Sequence, residues 1–217
     1  MALHTSSPEL GLALSNFADK SRYQTWDLGR SLSTHLHQHL AEFIQPQIWA
    51  DLAFIAVSKG PGSFTGTRIG VVTARTLAQQ LDIPLFAISS LAAVAWSQYI
   101  NVVAGSEAGV MAWNKAYAVQ MPAQRGEVSA AIYQVTAIGL TQLLPDTVLT
   151  LTAWQQTLAS WSTPYQLIQA EGGLGASVSS LLKLAYLDWQ QGKCPHWSET
   201  LPFYGQHPVA TKSLPDG

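Results

Sequence analysis

The stretch Ser58–Leu81, SKGPGSFTGTRIGVVTARTLAQQL, decides how this chain is interpreted. Glycines, a proline and hydroxyl residues precede a helix-like segment, which is the layout of a phosphate-binding loop. A nucleotide-hydrolysing P-loop has Lys and then Ser or Thr after its last glycine, but this chain has Thr67 and Arg68 there. The glycine spacing does not fit the dinucleotide-binding fingerprint either. The stretch therefore predicts a tight bend before a helix, with phosphate chemistry as the lesser alternative.

A generic anion site is the form of phosphate binding that the loop retains. Free backbone N–H groups at a helix start can hold an anion, and a nearby cation would help. The candidate residues are Gly60, Gly62, Ser63 and Arg68. Ser63 or Thr65 is also a candidate cap for the helix that follows.

The helix after the loop carries a stripe of small residues at strict four-residue spacing. This stripe consists of Gly66, Gly70, Ala74 and Ala78. Glycine inside a helix costs about 1 kcal/mol relative to alanine, so close packing by another element should compensate for Gly70. That element is either the sheet of this chain or a helix of a partner. The flanking residues Arg75, Gln79 and Gln80 suit the polar rim of an interface.

Composition favours a protein that contacts other proteins. Charged residues make up only 11% of the 217-residue chain, against about 25% in typical soluble domains. The eight tryptophans indicate apolar surface for a partner, or simply a Trp-rich lineage. A net charge of −2 lacks the basic excess of a protein that binds nucleic acid unaided.

Three further features indicate the cytoplasm. The single cysteine, Cys194, excludes an internal disulfide and fits a reducing compartment. The opening MALHTSSPEL has no signal-peptide pattern. Two uncharged windows, 83–106 and 147–170, are interrupted by polar residues or proline, so we expect no membrane span.

The pattern along the chain predicts an α/β fold with mixed sheets. The first half reads as three strands, a leucine-spaced helix ended by Pro46, and then strand, helix, strand, helix. The second half repeats this more faintly, with strands at 116–121, 126–135 and 165–170 and helices at 152–161 and 176–191. We place the domain boundary between 1–104 and 105–217, with Gly105–Gly109 as the link. The terminal segment LPFYGQHPVATKSLPDG is either docked or frayed.

Several segments of the chain resemble those of a known family. SKGPGSFTGTRIGVVTARTLAQQLDIPLFAISSL is similar to the signature of the TsaB (YeaZ) family, a bacterial subunit of the machinery that makes threonylcarbamoyladenosine beside the tRNA anticodon. MALHTSSPELGLAL, RGEVSAAIY and LPFYGQHPV resemble other family segments. The resemblance implies the actin-like ATPase (ASKHA) fold, with two ribonuclease-H-like lobes of which the second is degenerate.

The resemblance also implies a role without catalysis. The family is a non-catalytic paralogue of TsaD, the threonylcarbamoyl-transferring subunit, and pairs with it through first-lobe helices, here 32–44 and 65–81. TsaE would join a ternary complex, tRNA would be contacted only indirectly, and a homodimer is an alternative in isolation. The predicted partner-binding residues are Leu36, His39, Leu40, Gly66, Thr67, Gly70, Val71, Ala74, Arg75 and Ala78.

Departures from the related enzymes agree with that role. His4 stands where an actin-like ATPase has an acidic residue, and Pro122 replaces another expected in the second lobe. Ser90 and Val94 occupy the places of two metal-binding histidines of TsaD. Neither side chain can replace an imidazole ligand. We therefore expect no catalytic residue, no metal site and no cofactor, with a nucleotide only at a subunit interface.

Three other interpretations compete with the scaffold. The fold and loop suit an ATP-dependent phosphotransferase or ATPase, against which His4 argues. His35, His37 and His39 supply two imidazoles one helical turn apart but no third ligand. A serine-protease role for Ser63 lacks the nucleophile-elbow motif. The tryptophans at 154, 161 and 189 are interpreted as core or lobe-packing residues.

Overall fold

The structure, a computed structural model, describes residues 1–105, 115–136 and 138–205. Its strands form a five-stranded sheet in the first half and a four-stranded sheet in the second. The elements of the first half are β1 Ala2–His4, β2 Glu9–Ser15, β3 Ser21–Asp27, α1 Leu32–Phe43, β4 Ile55–Ser58, α2 Phe64–Leu81, β5 Leu85–Ile88 and α3 Ser90–Ala104. Those of the second half are β6 Ala116–Pro122, β7 Glu127–Thr136, β8 Gly139–Thr150, α4 Leu151–Ser160, β9 Tyr165–Gln169 and α5 Val178–Gln190.

The first sheet confirms the predicted order of strands and helices. Its strands lie in the order β3-β2-β1-β4-β5, with β1 antiparallel to β2 and parallel to β4. The helix α2 starts at the predicted cap, because the Gly66 N–H donates to Ser63 Oγ at 3.2 Å. It ends at Asp82, whose left-handed backbone stops the helix. Loop and helix thus follow β4 directly at the centre of the sheet.

The second sheet contains one strand that the sequence pattern did not predict. Its order is β8-β7-β6-β9, and the unpredicted strand is β8 at one edge. Pro145 interrupts the strand pattern there, and proline is tolerated only at sheet edges or bulges. Both conditions are met here. β8 is an edge strand, and the β7–β8 register shifts between Ala130 and Ile132, opposite Pro145.

Each half contributes a helix to the core of the other half. The helix α5 covers one face of the first sheet, where Leu181 and Ala185 join Ala2 and Ala56 in one buried cluster. In return, α3 packs against β6 and β7 of the second sheet. The exchange couples the two lobes on either side of the predicted boundary, where α3 ends at Ala104. Apart from Gly105, the predicted link lies outside the described residues.

Trp154 confirms its predicted core role. It is fully buried against β6 and β7, and its indole N–H donates to Gln120 Oε1 at 2.6 Å. Trp161 packs at the margin of the same cluster. Among the described residues, we find no helix with the length and apolar character needed to cross a bilayer.

Candidate functional site

The small-residue stripe of α2 faces the sheet of its own chain. A Cβ atom added to Gly66 or Gly70 would overlap Thr5, the residue that follows β1. Thr5 Oγ1 donates to the Gly66 carbonyl oxygen at 2.9 Å, which fixes this close approach. Ala74 and Ala78 continue the contact and are fully buried. The stripe therefore lets α2 lie unusually close to β1.

The prediction that this stripe is a surface for a partner is wrong. Because the space beside it is filled by β1, the alternative in which the chain's own sheet covers the stripe is correct. Of the ten predicted partner-binding residues, eight are buried: Leu36, Leu40, Gly66, Thr67, Gly70, Val71, Ala74 and Ala78. Leu36 and Leu40 belong to the first-lobe core. Only His39 and Arg75 keep partial exposure.

The opposite side of α2 is the side that stays open. Val72 is 60% exposed there, which is unusual for a valine in a helix. Thr76 and Gln79 are exposed on the same helix. The Arg68 guanidinium lies over the Phe64 ring, 5.3 Å from its centroid. An apolar side chain surrounded by polar neighbours is the pattern of a small contact surface.

The outer side of α1 is polar and carries the three histidines. His35 and His37 are exposed, while His39 stacks on Trp26 with ring centroids 4.4 Å apart. The His35 and His39 rings are 6.5 Å apart. Within the described part of the chain, no three His, Cys, Asp or Glu side chains are grouped to hold a metal ion.

Two backbone N–H groups of the glycine loop donate to acceptors within the chain. The Ser63 N–H donates to the Ser6 carbonyl oxygen at 2.7 Å, and the Gly60 N–H approaches Ser58 Oγ at 3.5 Å. Gly60 and Gly62 have positive φ angles, and a Cβ on Gly62 would overlap Ser6. The glycines thus serve a close crossing of two chain segments, which favours a structural bend over anion capture at Gly60, Gly62 and Ser63.

A chain of buried hydroxyl groups lies beneath the loop. Thr67 Oγ1 donates to Ser6 Oγ at 3.0 Å, and Ser58 Oγ lies 2.9 Å from Ser6 Oγ and 2.6 Å from Ser90 Oγ. All four residues are at most 3% exposed. Ser90, one of the two positions that the resemblance aligns with metal-binding histidines of TsaD, therefore makes its hydrogen bond within the chain.

His4 is neutral in the folded protein. It is fully buried, and its Nδ1 accepts a long hydrogen bond from the Ser6 N–H at 3.4 Å. Burial lowers the pKa of His4 to about 3. A neutral imidazole supplies no charge to hold a metal–phosphate group, which requires oxygen ligands.

The lobes enclose a cleft of about 680 Å³ between the β1–β2 turn, the α2 start and the β6–β7 turn. Its walls are hydroxyl-rich near Ser6 and Ser63 and aromatic near Phe64. Among the described lining residues Glu171 is the sole charged group. Such walls do not fit a magnesium nucleotide, whose phosphates need cations and whose metal needs carboxylates.

The terminal segment 201–205 docks beside this cleft. The Phe203 N–H donates to the Lys59 carbonyl oxygen at 2.7 Å, and the rings of Tyr204 and Phe64 lie 5.3 Å apart. Phe203 and Tyr204 both line the cleft. The docked alternative therefore holds up to Gly205, and residues 206–217 lie outside the described part.

A partly buried carboxyl group joins the two lobes. Asp146 Oδ1 accepts hydrogen bonds from Tyr133 at 2.6 Å and from Ser89, the cap of α3, at 2.9 Å. Burial raises the pKa of Asp146. The sequence pattern gave no sign of this group because Asp146 lies in β8, the strand that the pattern did not predict.

Comparison with known proteins connects this geometry to one family. A family model described as "TsaD: tRNA N6-adenosine threonylcarbamoyltransferase" matches residues 33–152. The TsaB protein of Bacillus subtilis (strain 168), named as a tRNA threonylcarbamoyladenosine biosynthesis protein, is 38% identical over 114 residues, or 52% of this chain and 44% of the relative. The protein of the same name from Escherichia coli (strain K12) is 26% identical over 174 residues, covering 76% of this chain and 75% of the relative. The match to the first relative thus spans less than half of that protein.

Solved structures confirm the fold. YeaZ from Pseudomonas aeruginosa superimposes with a TM-score of 0.71 at 22% identity, covering 94% of this chain and 97% of the other. A second structure, described as an uncharacterized protein with similarity to peptidase YEAZ from the same organism, reaches 0.73 at 21% identity and covers 98% of that protein. The predicted two-lobed, actin-like α/β architecture is confirmed.

Proposed function

This chain belongs to the TsaB (YeaZ) family, and we propose that it is a non-catalytic subunit in the synthesis of threonylcarbamoyladenosine in tRNA. The observation that carries the proposal is the similarity to proteins named TsaB, which reaches 38% identity over 114 residues. The residues matched by the family model, 33–152, include the glycine-loop signature Ser58–Leu81 that first pointed to the family. A cytoplasmic location is part of the proposal, because tRNA is modified there in bacteria.

The chemistry of the cleft supports a subunit without catalysis. His4 is neutral where a carboxylate would be needed to hold a metal–phosphate group. Ser90 is hydrogen-bonded to Ser58 in the hydroxyl chain. Val94 offers no ligand atom. A transferase partner must therefore provide the reacting groups, and TsaD is the partner that the family implies. TsaE would join the pair, while tRNA would be held by TsaD.

The docking surface is the outer side of α1 and α2. The inner stripe is occupied by β1, so first-lobe pairing has to use side chains that point away from the sheet. Val72 supplies exposed apolar area, and the half-buried His39 and Arg75 supply polar groups at the margin. We name the outer face of α2 around Val72, Thr76 and Gln79 the outer α2 face.

A binding assay with purified TsaD tests the proposal. Val72→Asp places a charge in the centre of the outer α2 face, and we expect TsaD to bind at least about tenfold more weakly because that charge would lose its water. Leu143→Asp is the matched control, since Leu143 is 36% exposed on the edge strand of the second lobe. Calorimetry or co-purification with the full-length chain gives the readout.

The outcomes separate the surface from the function. If Val72→Asp loses TsaD binding and Leu143→Asp keeps it, the result supports both the outer α2 face as the docking surface and the subunit role. Equal binding by the two variants refutes the outer α2 face, and failure of the unaltered chain to bind TsaD refutes the subunit role. Magnesium-dependent ATP binding by the isolated chain would favour the alternative, an ATPase or phosphotransferase.

A further inference from the structure

A second cavity, of about 710 Å³, lies at the other end of β1 from the inter-lobe cleft. It opens between the β2–β3 turn and the last turns of α5, and Met1, Leu14 and Leu52 line it with apolar groups. Its volume falls in the range of small-molecule sites, roughly 300–1,000 Å³. The TsaB resemblance assigns no role to this cavity, which shares no residue with the cleft.

One side of the cavity is a wall of four aromatic rings, those of Phe17, Phe54, Tyr186 and Trp189. Phe17 and Tyr186 stack face to face with centroids 3.6 Å apart and planes 7° apart. The Trp189 ring lies 6.0 Å from Tyr186 and 5.8 Å from Phe54. Trp189 is 38% exposed, so part of its surface is free for another ring. We call these four residues the aromatic wall.

The backbone holds the aromatic wall in place at a conformational cost. Phe17 has a φ angle of 57°, in the left-handed region that large side chains rarely adopt. The Asn16 side chain supports this turn by accepting from the N–H groups of Ala18 and Lys20 at 3.0 Å. Strained residues that the surroundings hold in place cluster at ligand sites. The strain here presents an aromatic ring to a cavity.

Several polar groups around the cavity are already bonded within the chain, although Gln47 Oε1 is buried there without a hydrogen-bond partner among the described residues. The Arg22 guanidinium donates to the carbonyl oxygens of Phe43, Ile44 and Gln45 at 2.8–3.0 Å. Asp51 accepts from the Ile48 N–H at 2.9 Å, and Asp19 accepts from the Asn16 amide at 2.8 Å. Arg22 is thus not available for a phosphate, and the carboxylates of Asp19 and Asp51 balance the positive charges of Lys20 and Arg22 in the lining. The cavity favours an uncharged ligand.

We propose that this cavity binds a small, uncharged, planar aromatic molecule, which stacks on Trp189 at the aromatic wall. A flat ring gains contact over its whole face there, whereas a puckered ring of equal size touches at few atoms. The site is separate from the proposed docking of TsaD, since none of its lining residues lies on α1 or α2.

Titration of the ¹⁵N-labelled full chain tests the proposal with two neutral probes. 2-Naphthol is planar, and decahydro-2-naphthol has the same skeleton without aromatic rings. We expect 2-naphthol to shift the amide signals of residues 15–22 and 183–190, and the indole N–H signal of Trp189. The saturated probe should bind at least about fivefold more weakly, because it loses ring stacking.

Two variants and one control make the test decisive. Trp189→Leu removes the exposed ring, and Ala53→Arg blocks the opening from an exposed lining position, so each should weaken 2-naphthol at least about fivefold. Tyr204→Leu changes an exposed aromatic residue of the inter-lobe cleft and should have no effect. Equal affinity for the two probes, shifts centred on the cleft, or unchanged binding by both variants would overturn the proposal.

Discussion

The two faces of α2 differ in how far the chain itself uses them. The inner face, with Gly66 and Gly70, is filled by Thr5, and its glycines are a requirement of packing. The outer face leaves Val72 60% exposed and has no such partner in the described part of the chain. A glycine pattern that looks functional can therefore be structural, while an ordinary valine on the other face marks the open surface. Two of the predictions below pair a change on one face with a control on the other.

The largest effect is expected from Gly70→Leu on the inner face. Its Cβ would overlap Thr5, and overpacking of this kind costs about 3 kcal/mol or more when backbone must move. Were the face open, leucine would instead stabilise the helix by roughly 0.8 kcal/mol. Urea denaturation shows whether Gly70→Leu lowers or raises the free energy of unfolding. Val72→Leu on the outer face is the control, and its expected change in that free energy is below about 0.5 kcal/mol.

The burial of Gly70 also changes how a mutation at this position should be interpreted. Gly70→Arg would abolish partner binding by disrupting the native packing of α2 rather than by blocking a docking helix. Loss of binding in that variant is therefore not a measure of the interface. A variant on the outer face is needed to separate the two causes.

The next effect concerns pH and His4, which lies just before Thr5 beneath the inner face. Its pKa is about 3 in the folded protein, against 6.5 for the unperturbed side chain. Above pH 6.5 His4 is neutral in both the folded and the unfolded state, so it does not make the free energy of unfolding depend on pH. As pH falls below 6.5 the unfolded state gains the proton, so the free energy of unfolding drops by about 1.4 kcal/mol per pH unit until about pH 3.

His4→Asn isolates this effect because asparagine keeps an acceptor and does not titrate. The free energy of unfolding should fall with acid less steeply in His4→Asn than in the unaltered chain, by close to 3 kcal/mol at pH 4.5. The comparison uses denaturant titrations at several pH values. Parallel curves would show that His4 is accessible to protons in the folded state.

A smaller effect is expected for the hydroxyl chain. Thr67→Val keeps the shape of the side chain but removes the hydrogen bond to Ser6 Oγ, for an expected loss of about 1 kcal/mol. Thr76→Val is the matched change on the outer face, where the hydroxyl group bonds only to its own helix. Its expected effect on the unfolding free energy is below about 0.5 kcal/mol. Equal losses in both variants would contradict the distinction between the faces.

Local pattern accounted for most of the fold but for little of the site. The alternation of strands and helices predicted the first lobe completely, and the cap at Ser63 followed from its residue type. Four-residue spacing on α2 could not distinguish a sheet from a partner helix, since both require small residues. Asp146 and the aromatic wall depend on contacts between distant segments. Residues 17 and 186 meet only in the folded chain, so no local signal announces them.

Photo-crosslinking tests the central claim, that the outer face of α2 is the face a partner binds, most directly. A photoreactive p-benzoylphenylalanine replaces Val72 in one sample and Leu143 in another, and each full-length chain is irradiated with purified TsaD. We expect a covalent complex from position 72 and none from position 143. Crosslinking from position 143 with none from position 72 would contradict the account.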